Sequence, residues 1–495
     1  MRETAKNTGN SVRRVLLAGS SLAVRQSLAS LGLSESSPVE VVGVLVSGEG
    51  GGVSGLGVPV CGGFESLEVA VADRSAEGLL VCLPQAMRER IDDLMTRGGR
   101  LGLTCRYLPP VGDQLAGLVS VSGRCGGGSV DAESLIGRRG RPLDEGALRG
   151  TLGGQTVLIT GAAGSIGSEL ARIACRYEPS LIVLADRSEN GLFQLDAELG
   201  RLFPDVSRRV QIHDVTHRHA NEALFARYRP DVVLHAAAHK HVPLMEDHPT
   251  AAVENNFYGT RWVVDAAVAA GVGRLVMIST DKAVNPSSIM GASKRLAELY
   301  IQYASRRSET TLAMVRFGNV LGSACSVLPI WSEQLAHGGP ITVTHPEMTR
   351  YFMTIPEAAG LVLQAAGYAR GGEVFLLDMG DPVRILDLAE RYLRQHGLEP
   401  GVDMSVRITG PRPGEKLFEE LAYRSEAMTP TEHPSIRIWE TTPPEPARIQ
   451  QLLATFDRLR DAGGGGPWEG TNPDAVATAL RSAIPEMVTA VSAAG

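Results

Sequence analysis

The 495-residue sequence lacks several features that would place it in other classes of protein. Its six cysteines are scattered, with no CxxC pair and no histidine at metal-ligand spacing, which excludes a disulfide framework and a zinc site. No stretch supplies the roughly 18 consecutive apolar residues of a membrane-spanning helix. Residues 1–25 carry Arg2, Lys6, Arg13 and Arg14 but no apolar segment with a cleavage site. We therefore expect a soluble cytoplasmic protein without a membrane span.

The sequence also has no excess of positive charge. It contains 48 Lys and Arg residues against 55 Asp and Glu, a formal net charge of −7, so nucleic acid is not an expected partner. The length exceeds what one hydrophobic core supports and predicts two to three domains. Glycine is abundant, with 56 residues, which predicts tight turns or loops that approach phosphates.

Near the start of the chain, buried strands alternate with helices. The predicted elements are the strands Val12–Gly19, Val39–Val46 and Gly78–Pro84 and the helices Leu22–Leu33 and Ala86–Arg97. This order predicts a Rossmann-like parallel sheet over residues 1–121. Its first turn has one glycine, Gly19, where a nucleotide loop needs three, so we expect no cofactor in this domain.

A second domain follows a glycine- and arginine-rich segment, 122–154, which we interpret as a linker. The next strands are predicted at Gln155–Thr160, Leu181–Ala185, Val232–His235 and Leu275–Ser279. They predict a doubly wound parallel α/β sheet at 155–330. The motif described next indicates that this domain binds a dinucleotide cofactor. A smaller C-terminal α/β part is expected at 331–445, and a helical tail is expected at 446–495.

The clearest local motif is VLITGAAGSIGSEL at 157–170. Gly161 allows a tight turn, Gly164 lets the backbone approach a pyrophosphate, and Gly167 lets the following helix pack closely on the strand. The next strand ends at Asp186, whose carboxylate would bind the adenosine ribose and favours NAD. The neighbouring residues assigned to the cofactor are Ser165, Ile166, Arg187 and Ser188.

Polar residues also follow the strand Leu275–Ser279. Thr280, Asp281 and Lys282 come directly after it, at the carboxyl edge where open α/β sheets bind ligands. A helix follows a proline-containing loop and carries Met290 and Lys294 on one face, since the two residues are four apart.

Together these motifs resemble the extended short-chain dehydrogenase/reductase superfamily and, more narrowly, the nucleoside-diphosphate-sugar 4,6-dehydratases of bacterial polysaccharide biosynthesis, especially UDP-N-acetylglucosamine 4,6-dehydratase. The segments that carry the resemblance are 235–260, STDKAVNPSSIMGASK at 279–294, RFGNVLGS at 316–323, 338–358 and RPGEKLFEEL at 412–421.

The sequence departs from the superfamily pattern at three places. Met290 stands where the superfamily has tyrosine, as it does in the membrane-anchored branch of these dehydratases. The chain keeps that branch's N-terminal domain without its transmembrane helices. At 322–326 (GSACS) the family usually has a polar or basic residue followed by glycine, which affects the expected substrate loop near Cys325.

The resemblance implies roles for five residues in a 4,6-dehydration. Lys282 would be the base at C5 and Asp281 the acid at the C6 hydroxyl, while Thr280 would hold the C4 hydroxyl. Lys294 would bind the nicotinamide ribose, and Met290 takes the tyrosine position. A lysine base must be neutral, so we expect the site to lower the pKa of Lys282.

Further residues are assigned by the same reasoning. For the cofactor they are Asp214, Val215, Ala236, Ala237, Ala238, Lys240, Asn256 and Lys294. Asn256 also resembles the family's helix asparagine that supports the active-site backbone. The resemblance implies that the part at 331–445 binds the sugar nucleotide. For the sugar nucleotide they are Lys240, Glu246, Asn319, Ser326, Arg350, Arg412, Glu415 and Lys416. His235, His239 and His241 invite a metal interpretation, but they alternate at a strand end, so no metal is expected.

The sequence thus predicts an NAD-dependent 4,6-dehydratase that acts on a UDP-sugar, with UDP-N-acetylglucosamine as the expected substrate, and that assembles as a homo-oligomer. Two alternatives stay open. An epimerase would share the C4 oxidation but return hydride to C4, without needing an acid and base over C5 and C6. A non-catalytic nucleotide-sugar-binding protein would explain the missing tyrosine and the extra domain, but would not need Asp281 and Lys282.

Overall fold

A computed structural model describes residues 13–32, 39–46, 57–110, 135–138, 140, 142–421, 428–462 and 466–487. The chain divides into two compact units. The first unit comprises Met1–Gly137, Cys325–Glu347 and Arg384–Gly410, and the second comprises Arg138–Ala324, Met348–Val383 and Pro411–Gly495. The segment predicted as a separate substrate-binding part, 331–445, is therefore divided between the two units.

In chain order, the strands among the described residues are β1 (Arg13–Gly19), β2 (Val39–Val46), β3 (Gly78–Cys82), β4 (Thr104–Tyr107), β5 (Thr156–Thr160), β6 (Leu181–Asp186), β7 (Arg208–Ile212), β8 (Val232–His235), β9 (Arg274–Ile278), β10 (Thr311–Arg316), β11 (Asn319–Leu321), β12 (Ile341–Val343), β13 (Thr349–Arg350), β14 (Phe352–Thr354), β15 (Val374–Leu377), β16 (Val383–Arg384), β17 (Val406–Ile408), β18 (Met428–Pro430) and β19 (Ile436–Trp439).

The α-helices are α1 (Ser21–Gly32), α2 (Leu67–Arg74), α3 (Arg88–Arg100), α4 (Glu145–Leu152), α5 (Ser165–Cys175), α6 (Glu189–Leu202), α7 (Arg218–Tyr228), α8 (Val242–Asp247), α9 (Pro249–Ala252), α10 (Gly259–Ala269), α11 (Ile289–Ser305), α12 (Val327–Ala336), α13 (Ile355–Tyr368), α14 (Ile385–Gln395), α15 (Pro446–Arg460) and α16 (Pro473–Ala483). A π-helical stretch, Val253–Tyr258, joins α9 to α10.

The first unit is built on a four-stranded parallel sheet in the order β2-β1-β3-β4. The central strand β1 is buried at Leu16, Leu17 and Ala18, because its hydrophobic run is covered on both faces. The sheet agrees with the parallel arrangement predicted from the N-terminal alternation of strands and helices.

A carboxylate of the same unit covers the start of α1. Asp403 Oδ1 accepts hydrogen bonds from the backbone N of Ser21 at 2.8 Å and from Ser21 Oγ at 2.7 Å. Asp403 Oδ2 accepts from the backbone N of Glu399 at 2.8 Å. A helix N-terminus favours an anion, so Asp403 fills the place that a nucleotide phosphate takes in a Rossmann first turn.

The second unit contains a nine-stranded sheet in the order β18-β19-β15-β10-β9-β8-β5-β6-β7. The seven strands from β15 to β7 are parallel, and β19 and β18 are added antiparallel at one edge. The chain reverses its direction of winding between β5 and β8, which places a ligand crevice at their carboxyl ends. The predicted doubly wound parallel sheet is confirmed.

The two faces of this sheet form two hydrophobic cores, because successive side chains of a strand point to opposite faces. In β5, Leu158 belongs to one core, while Val157 and Ile159 belong to the other. The first core packs against α10, α11, α15 and α16, and the second against α4, α5, α6 and α13.

The predicted linker is wrong at its C-terminal end. Residues 145–152 form α4, whose first turn is capped by Asp144 Oδ1 accepting from the backbone N of Ala147 at 3.0 Å. Leu148 and Leu152 are fully buried in the core. The glycines and arginines around these two leucines made the segment resemble a linker, although a spacing of four residues is typical of one helix face. The linker residues 122–134 lie outside the described residues.

Within the part of the chain that the structure describes, no helix has the length and apolar character needed to cross a membrane.

We predict that Asp403→Ala destabilises the first unit. The backbone N of Ser21 and that of Glu399 would lose a buried acceptor, which costs about 1–3 kcal/mol. The measurement is urea unfolding, and the matched control is Asp92→Ala, which removes an exposed carboxylate from α3. Equal unfolding midpoints for the two variants would contradict the role of Asp403.

Candidate active site

The glycine loop after β5 needs glycine for two different reasons. Gly161 has φ +68°, and a Cβ there would lie 2.6 Å from the backbone of Ala236 and Ala237. A Cβ on Gly167 would lie 2.1 Å from the carbonyl oxygen of Gly161, so only glycine lets α5 approach the loop this closely. The roles predicted for these two glycines agree with this geometry.

The N-terminus of α5 faces the loop without a side-chain cap, since its N-cap is Gly164. The first-turn N–H groups and the helix dipole therefore suit a phosphate. Ser165 Oγ accepts from the backbone N of Ala324 at 3.0 Å, and Ile166 is half-buried. Residues 161–167 thus form a cradle that fits the diphosphate of a dinucleotide.

Asp186 is fixed beside this cradle at the end of β6. Its Oδ2 accepts from the backbone N of Ala163 at 3.0 Å and its Oδ1 from that of Ser188 at 2.9 Å. Ser188 also caps α6, and Arg187 is exposed. The Asp186 carboxylate is therefore bonded to the backbone of the glycine loop, at the carboxyl end of β6.

The neighbouring strand ends complete one wall of the crevice. Asp214 Oδ1 accepts from the backbone N and Oγ1 of Thr216 at 2.9 and 2.8 Å. Burial acts to raise the pKa of Asp214, but these bonds outweigh it and lower the pKa. Val215 is buried, and after β8 Ala236 and Ala237 are half-buried while Ala238 is exposed.

The polar cluster after β9 is centred on Lys282. Its Nζ donates to Asp281 Oδ1 and to Asn319 Oδ1, both at 3.0 Å. Thr280 Oγ1 also donates to Asp281 Oδ1, at 2.9 Å. The Asp281 side chain is fully buried, and its Oδ2 has no hydrogen-bond partner among the described residues. The structure therefore brings the predicted acid and base together.

The expected lowering of the Lys282 pKa is wrong for this arrangement. Burial acts to lower the pKa, but the charges of Asp281 and Glu419 outweigh it, and the pKa of Lys282 is raised. Glu419 Oε1 lies 3.7 Å from Lys282 Nζ. Two carboxylates beside one ammonium hold the proton on the amine.

Glu419 is a site residue that the sequence reasoning missed. Its side chain is 3% exposed, its Oε1 lies 3.9 Å from Arg350 Nε, and its Oε2 has no hydrogen-bond partner in the described part of the chain. Burial raises its pKa in spite of the nearby cations Lys282 and Arg350. The sequence feature that could have identified Glu419 is its position in the motif RPGEKLFEEL, in which Arg412, Glu415 and Lys416 were assigned to the substrate.

The helix α11 carries the second site lysine. Lys294 is buried, and its Nζ donates to the carbonyl oxygen of Ile278 at 2.7 Å. Burial lowers the pKa of Lys294 to about 8. Met290, assigned to the catalytic set, is 2% exposed and packs in the hydrophobic core, and a thioether transfers no proton. The assignment of Met290 to the catalytic residues is therefore corrected: Met290 is a packing residue of the hydrophobic core.

The histidines at the end of β8 are engaged in protein contacts. His235 bonds Thr160 Oγ1 through Nδ1 at 2.7 Å and Thr260 Oγ1 through Nε2 at 3.0 Å. Among the described residues, no group of histidine, cysteine and carboxylate side chains is arranged to hold a metal ion. Burial lowers the pKa of His235 to about 3, so its ring is uncharged.

Asn256, grouped with the cofactor residues, supports the backbone next to the crevice, which is the role that the resemblance implies for it. Its Oδ1 accepts from the backbone N of His239 at 2.7 Å, and its Nδ2 donates to the His239 carbonyl and to Ser293 Oγ, both at 3.0 Å. Both ends of the amide are thereby used, so Asn256 positions the loop that follows Ala238.

Two residues predicted to touch ligand are bonded within the protein. Glu246 Oε1 accepts from the backbone N of Ile289 at 2.7 Å, which fixes the start of α11, and burial raises the pKa of Glu246. Lys240 Nζ donates to the Ala324 carbonyl at 2.8 Å and to Ser323 Oγ at 3.3 Å. Lys240 and Ser165 therefore both bind the segment 323–324.

The predicted diphosphate contact Arg350 is 6% exposed and donates to the carbonyl oxygens of Thr349 and Leu417. Such a buried guanidinium braces the segment that carries Glu419 instead of presenting an open fork to a phosphate. Arg412 and Glu415 bind each other, with Nη2 and Oε1 2.6 Å apart.

Two other predicted substrate contacts are Ser326 and Lys416. Ser326 belongs to the first unit, at the start of α12, and its buried hydroxyl has no partner among the described residues. Lys416 Nζ donates to the Val284 carbonyl at 3.1 Å in the second unit.

The scarcity of lysine is a feature of the sequence that points to site residues. The chain has five lysines among its 48 basic residues, and four of them are Lys240, Lys282, Lys294 and Lys416. An amine changes its pKa and protonation far more readily than a guanidinium, so a chain that otherwise uses arginine retains lysine where that chemistry is useful.

The sheet order, the glycine cradle at the reversal of winding and the polar cluster at the carboxyl edge define a Rossmann-fold, dinucleotide-binding protein of the extended short-chain dehydrogenase/reductase type. The family model described as "Polysaccharide biosynthesis protein" matches residues 157–441, and the chain belongs to that family.

Comparison with known proteins gives named relatives. The chain is 41% identical over 408 residues to the probable polysaccharide biosynthesis protein EpsC of Bacillus subtilis, covering 82% of this chain and 68% of that one. It is 33% identical to the UDP-N-acetylglucosamine 4,6-dehydratase (inverting) of Campylobacter jejuni, over 54% of this chain and 77% of that one. A UDP-glucose 4-epimerase of Rickettsia canadensis is 34% identical over 56% of this chain and 80% of that one.

Among solved structures, Pen from Bacillus thuringiensis is similar, with a TM-score of 0.54 and 34% identity, covering 60% of this chain and 90% of that one.

We predict that His235 makes stability depend on pH. The unfolded chain takes up a proton near the ordinary histidine pKa of 6.5, whereas the folded chain does so near 3. The contribution is complete above pH 6.5 and is lost on acidification toward pH 3, by at most about 1.4 kcal/mol per pH unit.

The measurement is the free energy of unfolding of wild type and His235→Gln between pH 7 and pH 5. Each carboxylate contributes equally to both proteins, so the difference in slope reports His235. Parallel curves would show that His235 is not held uncharged.

Proposed function

We propose that the protein is an NAD-dependent nucleotide-sugar 4,6-dehydratase whose substrate is UDP-N-acetylglucosamine. The observation that carries the proposal is the hydrogen-bonded pair of Asp281 and Lys282 at the carboxyl edge of a sheet that also carries a dinucleotide cradle. A 4,6-dehydration needs one acid and one base over C5 and C6, in addition to a hydride carrier. The similarity to a UDP-N-acetylglucosamine 4,6-dehydratase agrees with this choice of reaction.

The proposed cofactor is NAD, held by residues 161–167 and by Asp186. When bound, NAD would supply the hydride chemistry, taking hydride from C4 of the sugar and returning it to C6. The carboxylate of Asp186 suits two ribose hydroxyls. Lys294, buried beside the end of β9, would donate to the second ribose.

Asp281 would carry the proton that leaves the C4 hydroxyl. Thr280 Oγ1 lies 2.9 Å from Asp281 Oδ1 and would orient that hydroxyl toward the carboxylate. The protonated Asp281 would then give this proton to the C6 oxygen, which departs as water. Oxidation and elimination are thereby linked through one carboxyl group, without a tyrosine.

Lys282 would take the C5 proton, which the C4 ketone acidifies, and would return it to C5 after C6 is reduced. This step requires a neutral amine, and Lys282 is protonated in the arrangement described above. Binding of substrate must therefore be accompanied by loss of a proton from its Nζ.

The residues proposed to recognise the nucleotide sugar are Asn319, Arg412 and Lys240. Arg412 is 56% exposed, so exchange of Glu415 for a diphosphate would keep its bidentate bonding. Cytoplasmic location and a homo-oligomeric state stay predictions.

An epimerase is the second candidate, because a UDP-glucose 4-epimerase is as similar to this chain as the dehydratase is. That reaction needs no acid and base over C5 and C6, and it leaves Asp281 and Lys282 without a function.

The test is to incubate purified protein with UDP-N-acetylglucosamine and to measure product mass and NADH absorbance together. We expect a product lighter by one water with no net NADH, and NAD released when the protein is denatured. An unchanged mass with altered sugar stereochemistry would instead establish the epimerase. Binding without any reaction would favour a non-catalytic nucleotide-sugar protein.

A second prediction concerns the base. Lys282→Met keeps the length of the side chain but has no amine, so water loss should fall by about 10²- to 10⁴-fold. Bound NAD and C4 oxidation, measured as transient NADH, should persist because neither uses Lys282. Turnover equal to that of wild type would remove Lys282 from its role.

A further inference from the structure

The Lys282 amine must shed a proton before it can act, and the site has a second carboxylate placed to receive it. Glu419 Oε1 lies 3.7 Å from Lys282 Nζ, and the Glu419 side chain is 3% exposed. Its other oxygen, Oε2, has no hydrogen-bond partner among the described residues. A buried carboxylate oxygen without a donor is costly and requires an explanation.

The charges around Glu419 come from three parts of the chain. Asp281 and Lys282 follow β9, Arg350 lies in β13, and Lys416 lies on the segment of Glu419 itself. Burial is the largest influence and raises the pKa of Glu419, so this carboxyl group takes up a proton more readily than an exposed glutamate. Arg350 and Lys416 offset part of the cost of burying its charge.

We propose that Glu419 accepts a proton from Lys282 Nζ and holds it through the reaction, so that Lys282 enters the elimination as a neutral amine. This inference rests on the proposed dehydration. In this step one N–H bond of Lys282 breaks and one O–H bond forms on Glu419, without any change of oxidation state. Asp281 is left to receive the proton of the C4 hydroxyl.

Every proton moved in the reaction has a donor and an acceptor when Glu419 has this role. Lys282 gains the C5 proton on elimination and gives it back to C5, while Asp281 gains the C4 hydroxyl proton and gives it to the departing water. Glu419 keeps its proton until product leaves. Glu419 acts through Lys282 and is therefore a positioning residue.

The experiment compares kcat for water loss over a range of pH in wild type and Glu419→Gln. Glutamine preserves shape but accepts no proton, so we expect kcat near neutral pH to fall by about 10- to 100-fold. Activity should recover as pH rises, because solvent then deprotonates Lys282. Transient NADH should be unchanged, and exchange of solvent deuterium into C5 should slow in parallel with kcat.

The opposite result is well defined. A glutamate that only stabilises the Lys282 ammonium would, once removed, lower the pKa of Lys282 and leave kcat equal or higher near neutral pH. That outcome would overturn the proposal, as would a loss of activity without recovery at high pH.

Two further variants secure the test. Glu420→Gln alters the adjacent glutamate, which binds Asn285 Nδ2 at 3.0 Å and is 40% exposed, and should keep kcat within about twofold of wild type. If Glu419→Gln does not fold, the pH profile of Glu419→Asp is measured instead, because aspartate keeps a proton acceptor at a greater distance from Lys282. A pH profile like that of wild type with a lower kcat supports the proposal. An unchanged kcat contradicts it.

Failure of the proposed function is distinguishable, since wild type itself would then release no water.

Discussion

The active-site end of the second unit depends on one buried carboxylate, Glu298. Its side chain is fully buried and accepts from Ser279 Oγ at 2.6 Å, from Arg316 Nε at 2.7 Å and from Arg295 Nη1 at 3.2 Å. Burial acts to raise the pKa of Glu298, but the two arginines and Ser279 outweigh it and lower the pKa. A buried ion pair is costly to break because it leaves an uncompensated charge. The ends of β9 and β10 are thereby locked to α11, and Thr280, Asp281 and Lys282 begin directly after Ser279.

The two lysines near this lock show how placement sets chemistry. Lys294 is buried and donates to one backbone carbonyl, and burial lowers its pKa although the charge of Glu298 acts to raise it. Lys282 is half-buried, and the charges of Asp281 and Glu419 beside it outweigh the effect of burial and raise its pKa. The pKa of the same type of side chain is therefore shifted in opposite directions at the two positions, and a change in the charges around Lys282 is needed to free its amine.

The two units use the same helix property in opposite ways. In the second unit, α5 begins at Gly164, whose missing side chain leaves the first-turn N–H groups for a ligand. In the first unit, α1 begins at Ser21, whose N–H is bound by Asp403. One helix N-terminus is prepared to receive a phosphate, whereas the other is satisfied by a carboxylate from elsewhere in its own unit.

Local pattern determined much of this protein. Hydrophobic runs bounded by turns predicted β2 and β8 to the residue, and the spacing of Gly161, Gly164 and Gly167 identified the cradle, because strands and glycine turns depend on near neighbours. The adjacency of Asp281 and Lys282 was likewise visible.

The charge surroundings and the hydrogen-bond partners of the site residues came from the tertiary structure alone, because they depend on long-range contacts. Glu419 and Arg350 arrive from distant segments, so the charge on Lys282 and the engagement of Arg350 with backbone carbonyls followed no pattern in the sequence. Glu246 was assigned to substrate, yet it accepts from the backbone N of Ile289, since hydrogen-bond partners are set by packing. Proton affinity depends on every charge and every shielded surface around a group, and folding brings these together from parts of the chain that sequence spacing does not relate.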